Sequence, residues 1–80
     1  MEGEVAEKMT LRQARISRLM SANELGKRAG VAASTVLKIE QGAVPRLATI
    51  GKLAGALGMD AHEIAWPGDP LGGAIAISYE

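Results

Sequence analysis

Eighty residues without a cysteine make one small domain near the lower end of what folds without staples, with no disulfide framework and no thiolate metal site. One Trp, one Tyr and no Phe leave an aliphatic core and exclude an aromatic platform for stacking single-stranded bases. The net charge is zero, but all nine bases lie between Lys8 and Lys52 against only Glu24 and Glu40, a net of +7, with the other acids in the flanks. That is the footprint of a phosphate-facing surface with acidic ends.

The opening residues 1–6 read as an extension. They lack the basic start and apolar run of a signal peptide, and no stretch approaches the roughly 18 apolar residues of a membrane span. A soluble, cytoplasmic protein is the expectation. A first helix is predicted over about 7–19. Ser21 and Glu24 then have capping-box spacing and open a second helix over 22–29, with Leu25 and Ala29 on one face. Gly30 supplies the left-handed residue that ends it, and Val31 fills the turn.

A third helix is predicted over 33–41, stopped by Gly42. At about 100° per residue, Val36, Ile39 and Glu40 share one side, while Ala33, Ser34, Leu37 and Lys38 point the other way. A helix pinned by one face and displaying the other suits a major-groove reader. Pro45 disfavours helix at the residue before it. A fourth helix follows over 47–57, with Ile50, Leu53, Ala54 and Leu57 on its apolar face and Gly58 at its C-cap. Gly51 and Gly55 inside it each cost about 1 kcal/mol against Ala. Asp60 and Glu63 form another capping box, predicting a fifth helix over 61–66 that Pro67 ends.

Residues 67–80 form a tail. Pro67, Gly68, Pro70, Gly72 and Gly73 make a turn-rich linker. Beyond it Ile75, Ile77 and Tyr79 alternate with Ala74, Ala76 and Ser78, which is a strand signal; disorder is the competing reading. A lone strand must pair with a symmetry mate, the domain or a partner.

The residues Leu11, Arg15, Ser21, Glu24-Leu25, Gly30-Val31, Ser34-Thr35-Val36, Ile39-Glu40, Gly42 and Leu53-Ala54-x-Ala56-Leu57-Gly58 together carry a resemblance. From Leu11 to Ile64 the chain resembles the helix-turn-helix domain of the phage-repressor and Cro class of bacterial regulators, the XRE-like family. The resemblance implies an all-α, compact five-helix domain over 7–66. It also implies a sequence-specific regulator of double-stranded DNA that works as a dimeric repressor. It places base contacts at Ala33, Ser34, Leu37 and Lys38, of which Lys38 suits a guanine O6/N7 contact. It pairs Arg15 with Glu40 as an ion pair that orients the third helix rather than reading DNA. The phosphate clamp is expected from Ser21 and Ala22 at the N-terminus of the second helix, with Lys27, Arg28, Thr35, Gln41 and Arg46. The chain departs from the family at Ala22, where Gln is usual, and at Ala32, where Ser or Thr is usual.

A homodimer is expected through the apolar residues Met59, Ile64, Trp66, Leu71, Ile75, Ile77 and Tyr79. The alternative is an antitoxin-like or adaptor protein that uses the same fold and holds a partner protein with its tail. An enzyme is not expected. There is one His, no Cys and no glycine-rich phosphate loop, and His62 reads as an exposed histidine. No cofactor or metal is expected.

Overall fold

The computed structural model describes residues 8–71. A two-residue strand β1 (Met9–Thr10) leads into α1 (Leu11–Ser17), followed by α2 (Ala22–Ala29), α3 (Ala33–Glu40) and α4 (Leu47–Leu57). A single 3₁₀ turn (Ala61–Glu63) and a second short strand, β2 (Ile64–Ala65), complete it. Among the described residues the architecture is therefore mostly helical, with four α-helices rather than the five expected.

The first helix starts later than expected because Thr10 caps it. The Thr10 hydroxyl accepts from Gln13 N at 3.0 Å, and Gln13 Oε1 accepts from Thr10 N at 3.0 Å. This reciprocal box satisfies two of the orphan donors at the helix start. It leaves Met9 and Thr10 extended, in parallel register with Ile64 and Ala65. The same pairing accounts for the missing fifth helix. The Asp60–Glu63 box does form, but one turn on, the backbone of Ile64 and Ala65 is drawn into the strand pair. The Trp66 indole Nε1 donates to Ala61 O at 2.9 Å, fixing the chain where it folds back.

The helices supply an aliphatic core. Leu11 and Ala14 of α1, Leu25 of α2, Val36 and Ile39 of α3, and Ile50, Leu53 and Leu57 of α4 all converge on it. Gly30 ends α2 at φ 73° and Gly58 ends α4 at φ 68°, both in the left-handed region that glycine enters without a steric penalty. Gly26 has a different task. A Cβ there would lie 2.5 Å from Val31 O, so α2 and α3 can come this close only without a side chain at 26. Arg18 Nε donates to Leu57 O at 3.0 Å, tying the end of α1 to the last turn of α4.

Ile64 and Trp66 belong to this core, only 1% and 6% exposed, and Met59 and Leu71 pack partly against it. The expectation that Ile64 and Trp66 present a pairing surface is thereby corrected: the strand turns Ile64 inward, and the domain covers both residues itself. Ile75, Ile77 and Tyr79 lie outside the described residues. Among the described residues, no helix is long and apolar enough to cross a membrane.

Candidate nucleic-acid interface

The interface is built on α2, the Gly30–Ala32 turn and α3. Ser21 caps α2, its hydroxyl accepting from Glu24 N at 3.1 Å while Glu24 Oε1 accepts from Ser21 N at 2.9 Å. Leu25 is fully buried and fixes α2 to the core. Val31 N donates to Gly26 O at 2.8 Å across the turn. With Gly26 allowing close approach, the start of α3 is set directly against α2.

Val36 and Ile39, 0% and 3% exposed, anchor α3. The opposite side carries Ser34, Leu37 and Lys38, all exposed, with Ala33 and Thr35 half-buried beside them. Leu37 is 43% exposed, an aliphatic group held in water by a well-anchored helix. Ala32, the N-cap of α3, makes no side-chain cap hydrogen bond.

Arg15 and Glu40 lock the far end of α3 to α1. Arg15 Nε and Nη2 reach the two Glu40 oxygens at 2.7 and 3.0 Å, and Nη1 donates to Met20 O at 3.0 Å. The pair is largely covered, with the side chains 13% and 8% exposed. The hydrogen bond to Glu40 holds the guanidinium above its ordinary pKa, against the opposing effect of burial. Bidentate geometry fixes direction as well as distance. The pair engages Arg15 Nε and Nη2 and both oxygens of Glu40, so it ties the last residue of α3 to α1.

Among the residues nominated for phosphate, Ser21, Lys27, Arg28, Gln41 and Arg46 are exposed, and Ala22 is half-buried at the first position of α2. Arg46 is the N-cap of α4. It shares one surface depression with Thr35 and Lys38 of α3 and with Thr49. The fold thus gathers a base-reading candidate and two phosphate candidates on one side of the molecule. Thr49 was not singled out in the sequence, where it is one threonine in an apolar helix. Its only local signal is the one-turn spacing from Arg46. His62 Nδ1 stands 3.1 Å from Asp60 Oδ1 at the exposed cap of the 3₁₀ turn, away from these groups in the chain. Among the described residues, no group of three or more His, Asp or Glu is placed to hold a metal.

Comparison with curated proteins and with solved structures finds no match. The sequence model of one family does match, over residues 11–64, the span running from the first residue of α1 to the first of β2. On that match, and with the two-helix unit and its anchored second helix in place, the chain belongs to the helix-turn-helix family, a family of DNA-binding transcription regulators.

Proposed function

We propose that this protein is a dimeric, sequence-specific repressor that lays α3 in the major groove of double-stranded DNA. One observation carries the reading. Val36 and Ile39 hold α3 by one face, while Ser34, Leu37 and Lys38 stand exposed on the other. Lys38 reads a guanine edge, Ser34 pairs with a base as donor or acceptor, and Ala33 and Leu37 meet thymine methyls. Ser21, the start of α2 at Ala22, Lys27, Arg28, Thr35, Gln41 and Arg46 hold the backbone and set the register. The protein works where its operator is, in the cytoplasm.

So few polar groups on one reading helix make a weak, poorly selective contact. Two copies on a two-fold axis add their contacts over half-sites about 34 Å apart. With Ile64 and Trp66 assigned to the core, the pairing surface in this reading is Met59 with Ile75, Ile77 and Tyr79.

The test is selection of binding sites from random duplexes, followed by titration of the recovered site and a scrambled one. Lys38→Ala is expected to weaken the selected site by about 1–3 kcal/mol and to relax preference at one base pair of each half-site. Equal binding of both duplexes by wild type and variant removes the base-reading role. Sedimentation with and without residues 72–80 tests the pairing: a truncated protein that stays dimeric removes the tail from the interface.

A further inference from the structure

We infer that Arg12, on the first turn of α1, is a phosphate-contacting residue that extends the DNA-binding surface from the helix-turn-helix onto α1. The inference rests on the reading of α3 as the DNA-facing helix. Arg12 is exposed and shares one surface depression with Leu37 and Gln41, the groups assigned above to a base and to a phosphate.

Charge supplies the reason. Gln41 is the C-cap of α3, where the unsatisfied carbonyls give the helix its negative end. An amide there is a poor phosphate ligand by itself, because the backbone dipole repels the anion it would bind. Glu40 adds a full negative charge one residue away. Arg15 also lines the depression, but it is held bidentate on Glu40 with its third branch on Met20 O, so those two charges cancel. Arg12 therefore provides the net positive charge of this depression. Without it, the end of α3 would present a phosphate with a dipole of the wrong sign.

Position suits the role. The Arg15–Glu40 pair fixes α1 against the end of α3, and Arg12 lies three residues before Arg15, about one helical turn earlier on the same side. The long, exposed side chain can reach a backbone phosphate without any movement of α3.

The test compares Arg12→Gln, Arg12→Lys and Lys52→Gln with wild type. Lys52 is exposed on α4 and lines none of these depressions. Binding to a selected duplex and to a scrambled one is measured from 50 to 200 mM salt. Arg12→Gln is expected to weaken both duplexes alike and to lower the salt slope by roughly one. Its affinity then falls about three- to four-fold less than that of wild type across this range. Arg12→Lys is expected to retain the slope, and Lys52→Gln to leave it unchanged. Unchanged melting of each variant separates contact from folding. The inference is overturned if Arg12→Gln keeps the wild-type slope, if Arg12→Lys loses as much, or if Lys52→Gln loses as much. If wild type itself shows no salt-dependent duplex binding, the DNA reading fails and Arg12 falls with it.

Discussion

Leu19 is held at φ 58° with its side chain 89% exposed. The left-handed conformation costs an L-residue with a Cβ about 1–2 kcal/mol. Leu19 recovers little of this through packing. The turn itself is well made, with Leu19 N donating to Ile16 O at 2.8 Å and Met20 N to Arg15 O at 3.2 Å, so the geometry is wanted even though the residue is ill suited to it. Leu19→Gly is expected to raise stability by about 0.5–1 kcal/mol, after allowing for the greater freedom of glycine in the unfolded chain. The check is a higher urea midpoint at unchanged m-value; a lower midpoint would show that the leucine side chain has a partner. At this scale the sequence was legible where partners are near in the chain. The Ser21–Glu24 box could be read directly, and the Thr10–Gln13 box has the same spacing, although a helix start at 7 hid it. The Arg15–Glu40 pair was legible only through family resemblance. The Arg18 contact with Leu57 O joins residues 39 apart, and no local pattern announces it.

Elements differ in how their starts are secured. α1, α2 and the 3₁₀ turn each open on a complete capping box, whereas α3 and α4 have no side-chain cap. The helix assigned to the groove is thus one of the two with an unsecured start. Ala32 already has the extended backbone of an N-cap, at φ −63° and ψ 141°, so a hydroxyl would need no rearrangement. Ala32→Ser is expected to stabilise the domain by about 0.5–1.5 kcal/mol, seen as a rise in melting temperature. No change would mean that solvent already serves those N–H groups equally well. Boundaries of α2 and α4 could be read because Gly30 and Gly58 punctuate them. The fifth helix could not. Its capping box fixes only one turn, and so short a helix needs tertiary support to repay nucleation. That support went to the strand pair with Met9 and Thr10, whose alternation is too short to register as a period.

At the scale of the whole molecule, the separation of roles is plain. The core is aliphatic but for Trp66 and contains no buried polar or charged residue among those described, while all nine bases fall between Lys8 and Lys52, four of them, Lys27, Arg28, Lys38 and Arg46, on α2, α3 and the start of α4. Composition made that division legible. The assignment of Ile64 and Trp66 to the core was not legible, since an apolar residue near the end of a chain fits a core and an interface equally well.

The pairing of Met9 with Ile64 joins residues 55 apart, and this has a consequence in time. Closing a loop of that size costs about 3.5 kcal/mol on a (3/2)RT ln n scale, whereas α2 and α3 meet across a turn of three residues. The helix hairpin should therefore be native in the folding transition state, and the strand pair should zip only after the barrier. Ile64→Val, which removes one methylene from a site 1% exposed, is expected to cost about 0.5–1.5 kcal/mol. Nearly all of that cost should appear as faster unfolding, with the refolding limb of the chevron unmoved. A slowed refolding limb would instead place this long-range closure in the nucleus. If the closure does form last, the lifetime of the folded domain is set by two residues of strand lying far in sequence from α3.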